Sequence, residues 1–493
     1  MTTEILVLLT IAIYFLVLFT ISYFVSRKSD NAGFFSGNRK SPWYLVAFGT
    51  VGAAISGVTY ISVPGMVEAQ QFGFMQMVFG FFVGQMIIAF ILIPLYYKMN
   101  LVSIYGYLEQ RFGMSSYKTG AWFFFVSKML GAAVRLFVVC IVLQLFVFDH
   151  FPIPSYLSFT LNVMFTVLFV YLYTFKGGIK SVVWVDTFQT LCMFVAIGLT
   201  IYFVGQNLGL NAGNFGAFLG ESGMTRIFFL DDVSSHQFFW KQFLAGIALT
   251  VALNGLDQDM MQRALTCKNS KDSIKNLVVG ISIQTFVNLL FLTLGVLLFS
   301  YLIANNMAIP ERSDYVFPTV VQSISPFLLI LFVIGLLATS YSSAGSALTA
   351  LTTSFTIDVL QTPRKKSEEG VTAVRKKVHI GMAVCMAAVI FIIWLLNNDA
   401  VINTVFMVAS YTYGPLLGLF MFGLILKNKV HDKWVPAVAI VAPIIVFILD
   451  FSYCAEAGIS WSFWHERIIY IAGLTFIGLC FLIKKGEKTE KKA

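Results

Sequence analysis

Long apolar runs dominate this chain of 493 residues and set the class of structure that it can form. Apolar residue types make up 58% of the sequence and charged types only 12%, unlike a soluble globular domain. A helix needs about 20 mainly apolar residues to cross a bilayer. The sequence therefore predicts an all-α membrane protein whose main partner is the lipid bilayer. Its thirteen predicted spans are 4–26, 42–65, 72–97, 119–148, 154–175, 184–206, 238–258, 275–303, 324–355, 380–397, 400–426, 433–451 and 466–483.

The connecting segments carry their basic residues almost entirely on one side of the predicted membrane. Twenty-five Lys and Arg residues fall in segments on one side, whereas only Arg226 and Arg312 fall on the other. Because basic residues concentrate in cytoplasmic loops, this asymmetry predicts an amino terminus outside and a carboxyl terminus in the cytoplasm. It also accounts for the net charge of +9, so we expect no nucleic acid partner.

Two of the predicted spans combine glycines with polar residues, and we expect these two to be interrupted in the middle. The second span contains Gly49, Gly52 and Gly57, and the seventh contains Asn254 and Gly255. The two spans are five apart and so run in opposite directions. Such a pattern is typical of an inverted repeat with its binding sites at the interrupted helices. The alternative is that glycine is simply common in membrane helices.

The inverted repeat predicts a single transmembrane domain over 1–493. Its order is a leading helix at 4–26, a first five-helix repeat at 42–206, a second and inverted repeat at 238–426, two peripheral helices at 433–483 and a cytoplasmic tail at 484–493.

The segment at 339–349 is unusually rich in hydroxyl groups for a membrane helix, and it follows the strongly apolar run at 326–337. In a helix, Ser342, Ser343 and Ser346 would lie within about one turn of each other. Their oxygens would be suited to replacing the hydration shell of a small cation such as sodium. The alternative is that they form hydrogen bonds that pack helices together.

Charged residues inside the predicted spans also call for partners. Arg135 lies near the middle of the fourth span and must face either a partner or a cavity, because an unpaired charge there is costly. Asp186 begins the sixth span, where an aspartate is either a helix cap or a ligand for an ion or proton. Its position slightly favours the cap. Lys128 lies close enough to a span end to extend its ammonium group towards the interface.

Several segments together resemble the sodium:solute symporter family. They are GGIKSVVWVDTFQ at 177–189, VSIYGYLEQRF at 102–112, QDMMQR at 258–263 and the hydroxyl-rich segment at 339–349. Within that family the chain looks most similar to bacterial carriers of sialic acid, sugars and organic acids. The resemblance implies the LeuT-type fold of five plus five inverted helices, here with one extra helix before them and two after. It also implies a location in the bacterial cytoplasmic membrane.

The resemblance further implies a symporter that couples sodium to the import of a small polar solute by alternating access. The expected solute is a sugar, a sugar acid similar to sialic acid or an organic carboxylate, with sodium as the only cofactor and no obligatory protein partner. A sensor that reuses the same fold is the alternative. Sensors of this kind usually carry a signalling domain after the last span, and this sequence ends about ten residues beyond it. An enzyme is not expected, because no His, Asp or Glu residues converge within the spans.

The resemblance also assigns roles to individual residues of this chain. It implies a main sodium site made of three backbone carbonyls and two hydroxyl groups, from Gly52, Ile55, Thr339, Ser342 and Ser343. A second sodium site would use Asp186, Ser342 and Ser346, with Gly345 standing where a hydroxyl group is expected. The residues expected to contact the solute are Ser56, Thr59, Phe74 and Arg135. Ala54 and Val78 replace polar residues of sialic acid carriers, which argues against sialic acid itself or the same pose.

Overall fold

The computed structural model describes residues 3–27, 30–150, 152–396, 401–456 and 466–488, and it is helical almost throughout. The α-helices are α1 Thr3–Ser26, α2 Asn31–Ser36, α3 Trp43–Ala54, α4 Gly57–Gly65, α5 Val67–Gln70, α6 Phe74–Ile87, α7 Ile93–Lys98, α8 Gly106–Arg111, α9 Met114–Phe146, α10 Ser155–Thr174, α11 Ile179–Asn207, α12 Phe215–Glu221, α13 Phe239–Thr250, α14 Gln258–Ala264, α15 Ser270–Ala304, α16 Val316–Ile324, α17 Pro326–Ser354, α18 Glu368–Leu396, α19 Val401–Ile425, α20 Val435–Glu456 and α21 Arg467–Phe481. Short 3₁₀ helices lie at Gly37–Arg39, Phe148–His150, Ser313–Tyr315, Thr362–Arg364 and Asp432–Trp434. Turns of π-helix lie at Ile88–Leu92, Val251–Gly255 and Phe355–Val359.

The number of membrane spans agrees with the sequence up to the last predicted one. Within the described residues, 10 helices are long and apolar enough to cross a membrane, and counting two bent helix pairs as one span each brings the number to 12. The thirteenth predicted span falls on α21, which has only 15 residues. A count of thirteen therefore stays a prediction. The span edges predicted at 397 and 400 lie outside the described residues.

Both predicted interruptions are confirmed, because the second and seventh spans are the two bent pairs. Helices α3 and α4 meet at 57° and are separated by Ile55 and Ser56, which have extended backbone angles. Helix α13 ends in a π turn and meets α14 at 69°. Asp257 precedes α14, and its side chain accepts hydrogen bonds from the amides of Asp259 and Met260. Each break therefore leaves backbone groups outside the regular helical pattern at membrane depth.

Helix α17 forms the centre of the molecule and is buried from Leu328 to Ser354 apart from a few positions. It packs against α1, α3, α4, α9, α10, α11 and α18. Helix α3 approaches α11 closely, since a Cβ atom on Gly52 would overlap the Oγ1 atom of Thr190. A small residue at Gly52 thus lets two helix backbones come together, and it brings the first break towards α11 and α17.

Two details differ from the prediction. A two-stranded antiparallel sheet pairs β1, Asn428–Val430, with β2, Ile483–Lys488, so the fold is not wholly helical and the predicted tail begins as a strand. The rest of that tail, 489–493, lies outside the described residues. Helix α18 begins at Glu368 rather than near residue 380. Charged residues with good helix propensity extend the helix beyond its apolar part, and hydropathy alone does not detect that extension.

Candidate functional site

A cavity beside the first break brings together the four residues predicted to contact the solute, Ser56, Thr59, Phe74 and Arg135. Ala54 lines the same cavity. The other polar and charged residues of the lining are Ser127, Lys128, Thr250, Asn254, Asp257, Asp259, Gln284, Asn288 and Tyr413. The cavity therefore combines hydroxyl, amide and charged groups with aromatic rings, as expected for a site that binds a small polar molecule.

Arg135 lies on α9 and faces this cavity. Within the described residues its Nε atom is buried without a hydrogen-bond partner, and no carboxylate lies within ion-pairing distance of its guanidinium group. Of the two settings predicted for this arginine, a protein partner or a cavity, the structure shows the cavity. A guanidinium group that faces a cavity with an unused Nε donor is suited to binding a planar anion such as a carboxylate.

The residues predicted for the main sodium site lie at the first break and on the serine-rich part of α17. A Cβ atom on Gly57 would overlap the Oγ atom of Ser340, so the break and this part of α17 are in direct contact. Thr339 and Ser343 are buried, and their hydroxyl groups donate hydrogen bonds to carbonyls of their own helix. These bonds measure 3.0 Å from Thr339 to Gly335 and 3.0 Å from Ser343 to Ser340.

Such bonding leaves the oxygen lone pairs of Thr339 and Ser343 available to a cation. Within the described residues neither hydroxyl group bonds to another helix, which disfavours the interhelical packing role for these two. The hydroxyl oxygen of Ser340 is also buried there without a partner. Neutral hydroxyl and carbonyl oxygens of this kind are suited to hard monovalent cations. The positions of these groups are therefore compatible with a sodium site.

Asp186 is not a helix cap. Helix α11 begins at Ile179, after Gly178 with a φ of 52°, so Asp186 lies about two turns inside the helix and is only 1% exposed. Its Oδ1 atom accepts a hydrogen bond of 2.7 Å from Ser342, and its Oδ2 atom lies 2.7 Å from Nη1 of Arg263. The prediction of a cap is wrong because the left-handed glycine starts the helix earlier than the apolar pattern indicates.

Lys128 likewise does not extend towards the interface. It is 6% exposed, and its Nζ atom lies 2.7 Å from Oδ2 of Asp259 and 3.2 Å from both carboxylate oxygens of Asp257. Tyr413 also donates a hydrogen bond to Asp257. The snorkelling interpretation is wrong because Lys128 has acidic partners across the cavity, at the second break.

Ser346 and Gly345, two positions of the predicted second sodium site, each contact a residue of another helix. Ser346 donates a hydrogen bond of 3.1 Å to Oδ2 of Asp259, a residue that the sequence did not single out. A Cβ atom on Gly345 would overlap the hydroxyl group of Tyr173, which donates a hydrogen bond to the carbonyl of Tyr341. The hydroxyl group of Tyr173 on α10 therefore occupies the space that a side chain at position 345 would fill.

The sequence also missed Asp257, Asp259 and Arg263 as site residues. These residues lie at the second break, where interrupted helices were already expected to bind ligands. The sequence signal that could have identified them is the cluster of charged residues at a predicted break, together with a lysine embedded in another span. Arg263 Nε lies 3.4 Å from Oδ1 of Asp259, and both side chains are buried.

Comparison with known proteins identifies related sequences. The model of the sodium:solute symporter family matches residues 34–432. The sodium/sialic acid symporter NanT of Aliivibrio fischeri is 24% identical over 436 residues, which cover 82% of this chain and 80% of that protein. The sodium/sialic acid symporter SiaT of Proteus mirabilis is 23% identical over 436 residues, with 82% of each chain covered. The human sodium/iodide cotransporter is 24% identical over 412 residues, which cover 80% of this chain and 61% of that protein.

Two solved structures share the fold. A Na⁺-coupled sialic acid symporter in a substrate-bound outward-open state superposes with a TM-score of 0.82 at 17% identity, over 97% of this chain and 99% of that one. A nucleobase-cation-symport-1 family transporter in a closed conformation gives a TM-score of 0.54 at 13% identity, over 91% of this chain and 94% of that one. The fold is therefore LeuT-like.

Proposed function

The chain belongs to the sodium:solute symporter family, and from that premise we propose how its residues couple sodium to a solute. It is a multi-pass membrane transporter that couples sodium ions to the movement of a small solute. We propose that it imports an anionic solute, either an organic carboxylate or a sugar acid. The observation that carries this proposal is Arg135, a guanidinium group that faces the central cavity with an unused donor.

The solute would bind beside the first break. The carboxylate would accept hydrogen bonds from Arg135, and the hydroxyl groups of Ser56 and Thr59 line the same cavity. The ring of Phe74 would pack against the apolar part of the solute. A neutral sugar is the alternative solute, since Ser56, Thr59 and the nearby amide side chains also suit hydroxyl groups.

One sodium ion would bind where the first break meets α17. The proposed ligands are the carbonyls of Gly52, Ile55 and Thr339 and the hydroxyl groups of Ser342 and Ser343. The extended backbone at Ile55, together with the direct contact between Gly57 and Ser340, supports this assignment. A second sodium ion would bind near Asp186 and Ser346, where carboxylates take the place of the hydroxyl group missing at Gly345.

The proposed architecture follows the two breaks. We assign 42–206 and 238–426 to inverted repeats, with a leading helix at 4–26 and peripheral helices at 433–483, giving thirteen spans. Movement of one repeat against the other would open the cavity to each side in turn. The amino terminus would lie outside and the carboxyl terminus in the cytoplasm of a bacterium, because basic residues concentrate in the inner loops.

Uptake into proteoliposomes tests the proposed function. Purified protein would be reconstituted and given an inward sodium gradient, with labelled monocarboxylates, sialic acids and neutral sugars offered separately. We expect sodium-dependent accumulation of a carboxylate and none of its neutral analogue. Accumulation of a neutral sugar alone would contradict the anionic solute, and uptake independent of sodium would contradict the assigned sodium site.

A further inference from the structure

Another cavity, of about 590 Å³, lies where several helices end, and it shares no lining residue with the central cavity. Cavities that bind small molecules have volumes of about 300–1,000 Å³, so this one is large enough for a ligand. It is called the basic cavity below. Five of its lining residues carry a cationic group or an imidazole ring, and a tryptophan lies beside them. These residues are Arg111, Lys429, His431, Lys433, Lys484 and Trp434.

Three separate parts of the chain form the basic cavity, and hydrogen bonds hold them together. Arg111, at the end of α8, donates to the carbonyls of Leu426 and Asn428 at 2.6 and 3.0 Å, which joins α8 to the segment after α19. That segment continues as β1, which pairs with β2, and the amide of His431 donates to the carbonyl of Leu482 at 2.9 Å. The fold therefore builds this lining from paired segments rather than from a single loop.

Asp432 is the only acidic residue of the described lining, and its carboxylate is bound by α9. Its Oδ2 atom accepts a hydrogen bond of 2.8 Å from the amide of Ser115, and its Oδ1 atom accepts one of 2.9 Å from the amide of Ser116. The hydroxyl group of Ser116 also donates to Oδ1. Asp432 thus caps the positive end of α9, and the cationic groups of the basic cavity remain in excess.

Two of the cationic groups have no partner of their own. Within the part of the chain that the structure describes, the ammonium groups of Lys433 and Lys484 form no hydrogen bond and no ion pair. Lys433 is exposed and lies between β1 and α20, whereas Lys484 is half-buried and lies on β2. Because each ammonium group carries a full charge and three donors, the pair is suited to an anionic oxygen group such as a phosphate.

The basic cavity lies at the boundary between the lipid-facing and the aqueous surfaces. Helix α9 begins at Met114, α19 ends at Ile425 and α20 begins at Val435, and all three helices are apolar enough to cross a membrane. Trp434 is 64% exposed, and Phe481, which ends α21 just before β2, is 84% exposed. Aromatic rings at the ends of spans are typical of the headgroup region of a bilayer. A ligand at this depth would therefore meet both charged and apolar surfaces.

We propose that the basic cavity binds the headgroup of an anionic phospholipid. The ammonium groups of Lys433 and Lys484 contact the phosphate, and the ring of Trp434 lies beside the glycerol backbone. Basic pockets between the ends of membrane helices are suited to such headgroups. A soluble phosphate offers the same anionic oxygens but no acyl chains for the exposed aromatic rings, which favours the lipid. This site goes beyond sodium-coupled transport and does not depend on which solute is carried.

Titration of the delipidated protein in detergent with phosphatidylglycerol tests the proposal, with native mass spectrometry to count the bound lipid. Each lysine near an anionic lipid strengthens binding about fivefold, so Lys433→Gln/Lys484→Gln should hold the tightest-bound lipid at least about tenfold more weakly than the wild type. Lys433→Arg/Lys484→Arg keeps both charges and should bind nearly as tightly as the wild type.

The matched control is Lys376→Gln/Lys377→Gln, which also removes two positive charges. Both lysines are exposed on α18 and lie outside the basic cavity, so this variant should bind phosphatidylglycerol as tightly as the wild type. An equal loss in the control would overturn the proposal, because the charge of the whole surface would then hold the lipid. Unchanged binding by Lys433→Gln/Lys484→Gln would overturn it as well.

Two further probes identify the chemistry of the ligand. Phosphatidylcholine has the phosphodiester group but no net charge, and it should bind at least about tenfold more weakly than phosphatidylglycerol. Glycerol phosphate has the anionic group but no acyl chains, and it should not displace the lipid. Equally tight binding of phosphatidylcholine would show that the surface attracts any lipid, and displacement by glycerol phosphate would assign the cavity to a soluble phosphate. Either result would overturn the anionic phospholipid.

Discussion

The hydroxyl groups of α17 fall into two sets with opposite surroundings. Within the described part of the chain, the hydroxyl groups of Thr339 and Ser343 donate only to carbonyls of their own helix, and none of their hydrogen-bond partners is charged. Both residues lie near the first break. Ser342, which is also a proposed ligand of the main sodium site, donates to Asp186 on α11, and Ser346 donates to Asp259 at the second break. We call these the neutral face and the charged face of α17.

Under the proposed assignments, one helix presents two kinds of cation site. The neutral face would bind sodium through the placement of backbone and hydroxyl oxygens, so its affinity depends on the geometry of the break. The charged face would bind sodium through the carboxylates of Asp186 and Asp259, so its affinity would depend on the cationic groups that pair with them. Substitutions on the two faces should therefore weaken sodium binding for different reasons.

The two faces also set the energetics of transport. One sodium ion moving down about 100 mV supplies about 2.3 kcal/mol, and a tenfold gradient adds about 1.4 kcal/mol. A carboxylate carried with one sodium ion moves no net charge and would accumulate only about tenfold. A second sodium ion on the charged face would restore the contribution of the membrane potential.

The largest effect is expected from breaking the charged face. Arg263→Gln leaves Asp186 without the cationic group it pairs with and Asp259 with Lys128 alone, so it should lower the free energy of unfolding by about 3–5 kcal/mol. Sodium should restore part of this loss, because a cation beside Asp186 and Asp259 would replace the positive charge of the lost guanidinium group. Thermal unfolding of the purified protein with sodium or with a large organic cation measures both effects.

The matched control for Arg263 is Arg364, whose ion pair with Glu109 is exposed. Arg364→Gln should cost less than about 1 kcal/mol, with no rescue by sodium. Equal losses in the two variants would show that the buried ion pairs of Arg263 with Asp186 and Asp259 stabilise the protein no more than a surface ion pair does.

Arg135→Lys tests whether Arg135 binds the solute. Lysine keeps the charge but loses the planar pair of donors, so uptake at low solute concentration should fall about 10- to 100-fold. Sodium binding without solute should be unaffected, which measurement of bound sodium in the same preparation checks. A variant that transports normally would show that Arg135 does not contact the solute.

Ser343→Ala tests the neutral face. Removing one oxygen ligand should raise the sodium concentration for half-maximal transport about tenfold, with little change in protein abundance. Ser282→Ala is the matched control, since this exposed serine on α15 also donates to its own helix. Unaltered sodium dependence in Ser343→Ala would mean that the hydroxyl group serves packing alone.

The smallest effect is expected at Gly345. Gly345→Ser supplies the hydroxyl group that the resemblance expects, but its side chain would overlap the hydroxyl group of Tyr173. Transport should fall a fewfold and recover in part when Tyr173→Leu is added, because leucine removes both the hydroxyl oxygen and the two ring carbons that the new Cβ atom would overlap. Initial uptake rates of the single and double variants measure this, and failure of the double variant to recover would show that Tyr173 has another role.

Sequence alone predicts the neutral face better than the charged one. Glycines and hydroxyl groups indicate the first break, and the residues of the neutral face are local to it and to one helical turn of α17. On the charged side, ion pairs join Lys128 of α9, Asp186 of α11 and the pair Asp259 and Arg263 of α14. The spacing of these residues along the chain does not reveal which of them are in contact. Hydropathy indicates how deep Lys128 and Asp186 lie in the membrane but not which residues they contact. It therefore predicts a position near the interface for both.

The number of sodium ions that accompany each solute tests the comparison most directly. Proteoliposomes would be loaded so that uptake of radioactive sodium and of the transported carboxylate is counted in parallel, with and without an inside-negative potential. The two faces predict two sodium ions per carboxylate and faster uptake when the inside is negative. One sodium ion per carboxylate, with uptake indifferent to the potential, would contradict the assignment of a sodium ion to each face.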